Sequence, residues 1–387
     1  MFTLIKGAKV FAPHDLGVQD ILMAGGKIAA IQEKIDPPKG LSVKEVKAEG
    51  MIATPGVIDL HVHITGGGGE GGPATRVPEI DISHLTQAGV TTVVGVLGVD
   101  DFSRNPDTVM IKVLGLRQEG MSAYMMTGSY GFPPSTITGS LRRDLALLPP
   151  VVGVGELAIS DHRSSQPTFE DLAKVAAEVR VGALLGNKAG LVHLHMGGGQ
   201  AGMDYLFQLV RKTEIPITQY LPTHVTRTEE LFEQALTFAS MGGFIDITLT
   251  GERPTQEINV AEALTRMKNK NIKTDCLTFT SDGNGSLPKF DENENYIGMG
   301  IGSPSSLLRE FKRLVVQGGF EASDLLPCLT LNPARRIKVD GKKGSLEVGK
   351  DADLILFDGD WNIDSVWCLG KHMVKGGEPL VKGFCAR

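Results

Sequence analysis

The two ends of the chain and its middle follow different rhythms of apolar and polar positions. Near the N-terminus, Phe2 to Phe11 alternates and Gln19 to Met23 is extended. Gly25-Gly26 then gives a hairpin signal ahead of Lys27 to Gln32. The C-terminal stretch reads alike, with strands over Ala352 to Phe357 and Val366 to Leu369, punctuated by Gly370 and Gly376-Gly377. These strands predict one small β-sandwich domain built from residues 1–54 plus 340–387.

Between the ends, residues 55–339 carry eight apolar runs that suit buried parallel strands: Val57–His63, Thr91–Leu97, Ala123–Gly128, Val151–Ile159, Leu191–Met196, Ile217–His224, Phe244–Leu249 and Leu277–Ser281. Amphipathic stretches such as Phe169–Leu185, Glu229–Met241 and Asn259–Lys270 separate them as helices. Eight alternations in unbroken series predict an α/β fold, a (β/α)8 TIM barrel, over a doubly wound open sheet.

Composition narrows the function classes. A net charge of −6 supplies no basic footprint for nucleic acid. Lys342-Lys343 and Lys371-His372-Met373 read as solvated loop charges. Cys276, Cys328, Cys368 and Cys385 lie far apart without CxxC spacing, against a disulfide framework or a zinc ribbon. No apolar stretch suits a signal peptide or a membrane span, so a soluble cytoplasmic protein is expected.

Chemistry gathers at the ends of the barrel runs. His61 and His63, two residues apart, project from one face of the first strand and can reach one metal ion. Glu156 lies in strand four, His195 and His224 end strands five and six, and Asp282 follows strand eight. Singly, each is also explained as a hydrogen-bonded core residue or a cap. Together they place four imidazoles and two carboxylates on the rim where a barrel builds its active site. Nitrogen and oxygen donors without thiolate suit zinc, with manganese, cobalt or iron as alternatives. Two zinc ions sharing a carboxylate bridge would hold a water with a pKa lowered toward roughly 7. Asp282 would take its proton and return it to the leaving amine. His193 faces the same way as His195 and reads as an inner barrel residue rather than a partner of the site; His162 follows strand four, while His14, His84 and His372 fall outside the barrel mouth.

Pro55 to His63 reads PGVIDLHVH and Gly344 to Asp358 reads GSLEVGKDADLILFD. Both resemble the opening and closing segments of the amidohydrolase superfamily. Within it, GGGGEGGPATR (66–76), TGSYGFPPSTITGS (127–140), AISDHRS (158–164), LPTHVTR (221–227) and SDGNGS (281–286) resemble loops of the bacterial isoaspartyl dipeptidases. The resemblance implies hydrolysis of β-aspartyl dipeptides. His61, His63 and Asp282 would bind the buried metal, and His195 and His224 the second. Glu70 would contact the substrate ammonium, Arg163, Arg227 and Ser286 its carboxylates, and Tyr130 the oxyanion. It also implies a homo-oligomer. Two positions depart from the family. Glu156 stands where a carboxylated lysine is expected and is read as the bridge itself, and Val99 replaces a polar substrate contact. A cyclic amidase, an N-acyl-amino-acid deacylase and a non-catalytic assembly protein stay as alternative readings.

Overall fold

The computed structural model describes residues 2–249, 257–290 and 296–384; Cys385 lies outside the described residues. Eight parallel strands form the barrel, numbered here in chain order: β1 (Val57–Val62), β2 (Val90–Gly95), β3 (Ser122–Thr127), β4 (Val151–Ile159), β5 (Leu191–Met196), β6 (Tyr220–Thr223), β7 (Ile245–Thr248) and β8 (Leu277–Thr280). Each coincides with one of the expected runs. Every residue of these strands is buried except Tyr124 in β3, as strands covered on both faces must be. The start of the sixth run departs from expectation, because Ile217–Gln219 makes one 3-10 turn before β6.

Strands β1 to β6 pair successively, as do β7 and β8. Two buried aspartates bolt the seams between these sheets. At one, Asp246 of β7 accepts from Thr223 of β6 at 2.6 Å and from Thr278 and Thr280 of β8, each at 2.6 Å. At the other, Asp59 of β1 accepts from Ser281 Oγ at 2.5 Å, and His63 N donates to Gly283 O at 2.9 Å. Burial pushes the Asp59 carboxyl up to about 7 against the hydrogen bonds of Ser281 and His61.

Helices pack around the strands. Thr168 caps Phe169–Gly186 in a reciprocal capping box with Asp171. Thr228 caps Glu229–Ser240 and Asn259 caps Val260–Asn269. Three further helices, Ser306–Val316, Ala322–Leu329 and Leu331–Arg336, follow β8.

The chain ends meet in a nine-stranded mixed sheet. Phe2–Phe11 pairs with Asp15–Ala24, and Ile52–Pro55 joins the N-terminal strands to Leu354–Phe357 of the C-terminal set. Its core includes Ile5, Ile21, Leu354 and Trp367. Two expectations about charge are corrected here. Lys343 is 4% exposed, because it spans Asp351 and Asp353 at 2.9 and 2.5 Å. Lys371-His372-Met373 belongs to the strand Lys371–Lys375, with Met373 fully buried.

Candidate metal centre

Alternation along β1 puts the His61 ring inside the barrel, and His63 follows just past the strand's end. Both are buried, at 0% and 5% exposure. The site turns on β4. Val192 pairs with Val154 and Leu194 with Leu157, so Gly155 and Glu156 together oppose His193 alone. This bulge carries Glu156 into the centre, where a glutamate has less reach than a modified lysine. Gly155 permits it, since a Cβ there would lie 2.7 Å from both the Cβ and the carbonyl oxygen of His193.

The Glu156 carboxylate divides between two histidine pairs. Its Oε1 lies 3.2 Å from His61 Nε2 and 3.4 Å from His63 Nε2. Its Oε2 lies 3.0 Å from His195 Nδ1 and 3.7 Å from His224 Nε2. Two buried His/Glu groups able to hold a metal thus share Glu156, an arrangement that suggests a binuclear metal site. His61 Nε2 and His224 Nε2 are buried without a hydrogen-bond partner. Leaving such nitrogens unpaired is costly, and a cation at each would satisfy them. The donor set of imidazoles and carboxylate fits that role.

Asp282 closes the first group, with Oδ1 at 3.1 Å from His63 Nε2 and 3.6 Å from His61 Nε2. Burial pushes His63 down, but its hydrogen bonds to Asp282 and Glu156 outweigh this and lift it to about 10. Burial opposes the charge on Glu156 too, yet His61 and His195 hold it well below the usual carboxylate range. His195 and His224 are held low by burial and by the Arg227 guanidinium.

Around the metal groups stand the substrate-side candidates. Tyr130 OH is 2.6 Å from His195 Nδ1, and burial with the nearby Glu156 charge keeps the phenol protonated well above 10. Glu70 Oε1 accepts from Ser286 Oγ at 2.7 Å and lies 3.5 Å from Arg163 NH1. Arg227 NH1 donates to Met196 O at 2.8 Å and lies 2.9 Å from His195 Nε2. The structure therefore joins all the singled-out site residues in one contiguous cluster.

Three neighbours were not assigned to the site from the sequence. His193 is corrected: its ring is inside the barrel, but its Nε2 also lies 3.2 Å from His61 Nδ1, touching the site. The spacing of two from His195 carried that signal. Thr248 Oγ1 lies 2.7 Å from His224 Nδ1. Asp161 pairs with Arg163 through both carboxylate oxygens and lies 3.2 Å from His195 Nε2; its only sequence signal was its place within AISDHRS.

A parallel barrel with a His/Glu centre at its mouth is the arrangement of metal-dependent amide hydrolases. The profile of the Amidohydrolase family matches residues 188–373. The chain belongs to the amidohydrolase family. Within it, the chain is similar to the β-aspartyl dipeptidase of Fervidobacterium islandicum AW-1 crystallised with the β-Asp-Leu dipeptide: 43% identity, 99% of each chain covered, TM-score 0.93. A second crystal structure of β-aspartyl dipeptidase from that organism is 40% identical, over 99% of this chain and all of that one, with a TM-score of 0.90. The dihydroorotase of Lactiplantibacillus plantarum is 29% identical over 43% of this chain and 37% of its own length. The protein is thus an amidohydrolase close to the β-aspartyl dipeptidases, with buried metal-binding groups that share Glu156.

Proposed function

We propose that the enzyme hydrolyses the β-aspartyl bond of dipeptides with two zinc ions in the Glu156-bridged site. The observation that carries this reading is the placement of Glu70, Ser286 and Arg163 together beside the metal groups. A zwitterionic dipeptide needs a carboxylate for its ammonium and guanidinium forks for its carboxylates. A cyclic imide or an N-acyl group has no ammonium to offer Glu70.

In this reading His61, His63, Glu156 and Asp282 hold one ion, and His195, His224 and Glu156 the other. Ions held there would supply a hydroxide at neutral pH and a Lewis acid for the scissile carbonyl. Asp282 holds the proton of the attacking water and passes it to the leaving amine. Tyr130 donates to the developing oxyanion, a role its protonated, buried phenol suits. Arg163 and Arg227 orient the substrate carboxylates, Ser286 assists them, and Glu70 fixes the ammonium. In this reading Glu156, the residue β4 offers at that position, takes the bridging place of a carboxylated lysine.

The same reading takes the chain as a cytoplasmic homo-oligomer. Its described cysteines are free thiols, which suits a reducing compartment, and among the described residues no helix is long and apolar enough to cross a membrane. Leu147, Leu184 and Leu185 are exposed on two helices that pack together, a surface suited to a second copy.

The test is turnover by zinc-loaded enzyme of β-Asp-Leu, α-Asp-Leu, dihydroorotate and an N-acetyl amino acid. Fast turnover of β-Asp-Leu alone is expected. Preference for any of the others would overturn the substrate assignment.

A further inference from the structure

Asp161 sits in the loop beyond β4 with its carboxylate almost wholly buried, its side chain 4% exposed. Its Oδ1 accepts from Arg163 N at 2.8 Å and from Arg163 Nε at 3.0 Å. Its Oδ2 accepts from Arg163 NH2 at 2.8 Å, faces His195 Nε2 at 3.2 Å and lies 3.6 Å from Arg227 NH1. One carboxylate therefore meets both guanidiniums of the substrate side and one imidazole of the metal side.

Occupancy of the centre decides the tautomer of His195. Its Nδ1 faces the Glu156 carboxylate at 3.0 Å and the Tyr130 hydroxyl at 2.6 Å, so without a cation it can donate to Glu156. Once Nδ1 ligates a cation it carries no hydrogen, and the ring proton belongs on Nε2. Asp161 Oδ2 is the acceptor for it. Arg163 NH2 and Arg227 NH1 also approach Nε2, at 3.2 and 2.9 Å, but both have acceptors elsewhere, in Asp161 and Met196 O. A carboxylate behind a ligating imidazole fixes ring orientation and raises its basicity.

We propose that Asp161 is a positioning residue that couples the two halves of the site. It holds His195 as the Nε2-protonated tautomer, with Nδ1 toward the Glu156-bridged centre, and pre-orients Arg163 and Arg227 for the substrate carboxylate. The metal half of this inference rests on metal binding at the Glu156-bridged site, and the substrate half rests on the dipeptidase reading.

Asp161→Asn separates these roles at constant volume. An amide nitrogen in the place of Oδ2 would be a donor facing donors from His195, Arg163 and Arg227. Apo protein titrated with zinc against a chelating dye should bind two equivalents in the wild type. D161N should bind one of them as before and the other about 10–100-fold more weakly. At saturating zinc, KM for β-Asp-Leu should rise roughly tenfold, as for a disordered charged fork. Asp161→Glu, which keeps the charge, should recover part of the lost metal affinity. Long-range proton–nitrogen spectra of the zinc-loaded wild type should show His195 protonated on Nε2, a readout that needs no variant to fold. An Nδ1-protonated His195 in the zinc-loaded protein, or D161N with both zinc equivalents and KM unchanged, would overturn the proposal. Should the wild type ignore β-Asp-Leu, the substrate reading falls, while zinc binding and tautomer still decide the role of Asp161.

Discussion

Glu70 and Ser286, 216 residues apart, meet at the barrel mouth in a hydrogen bond of 2.7 Å from Oγ to Oε1. The bond ties the loop after β1 to the hairpin strand Ser286–Phe290 after β8, and Arg163 approaches the same oxygen at 3.5 Å. An incoming ammonium would exchange these contacts for its own. Glu70→Gln is therefore expected to lower kcat/KM for β-Asp-Leu by about 10–100-fold, the worth of one charge-assisted hydrogen bond. Succinyl-leucine, which is β-Asp-Leu without its ammonium, should be cleaved slowly and within about twofold equally by both enzymes, since the two deletions remove one interaction. Equal losses on both substrates would show that Glu70 acts elsewhere.

The split of Glu156 between two histidine pairs makes it the residue on which both metals depend. Glu156→Ala should reduce retained zinc below one equivalent after dialysis, measured by atomic absorption, because each group loses its only shared anion. Two full equivalents in the variant would reject the bridge. Wild-type activity should also be indifferent to added bicarbonate, since a bridge encoded as glutamate needs no CO2.

What the sequence displayed and what it hid have a common cause. The eight barrel strands were legible because each is a local apolar run, and His61 and His63 because a spacing of two is itself a statement about one face. Val43–Lys47 escaped because three of its five residues are charged, and only pairing with Phe2–Phe11 makes it a strand. Lys343 looked like a solvated charge because the carboxylates that bury it come 8 and 10 residues later. The bulge at Gly155-Glu156 is a relation between two strands, and so no periodicity within either records it. Asp161 is hidden in the same way, since its meaning lies in His195, 34 residues on.

In the terminal sheet, His372 stacks on Trp367 with ring centroids 4.4 Å apart, and Lys44 Nζ lies 3.1 Å from its Nδ1. Burial, with Lys44 and Lys375 adding to it, pushes His372 from 6.5 down to about 4. The unfolded chain therefore takes up this proton first as pH falls. The contribution is fully present above pH 6.5 and is lost as pH drops through 4. Solvent screening of the half-buried ring limits it to on the order of 1 kcal/mol. Urea midpoints at pH 7.5 and 5 should differ less in His372→Gln than in the wild type. An identical pH dependence in the two would place the cause in other groups.

Gly155 offers the sharpest test of how the backbone makes the site. A methyl group there would lie 2.7 Å from the Cβ and the carbonyl oxygen of His193, and φ is +148°, where an L residue is strained. His193 cannot yield freely, because its ring is wedged against His61 inside the barrel. Gly155→Ala should therefore cost about 1–3 kcal/mol of stability, the usual penalty of overpacking a rigid core, seen as a lower urea midpoint with the slope unchanged. The strain falls on the bulge that carries Glu156, so zinc affinity should fall with it. Gly153, two residues earlier in the same strand, serves as the control: its Cβ would also meet neighbours, at 2.4 Å from Leu191 O and 2.7 Å from Met126 Sδ, but outside the bulge. Gly153→Ala should destabilise the barrel while sparing zinc affinity in the folded protein. Equal zinc affinity in both variants and the wild type would separate the bulge from the metal site.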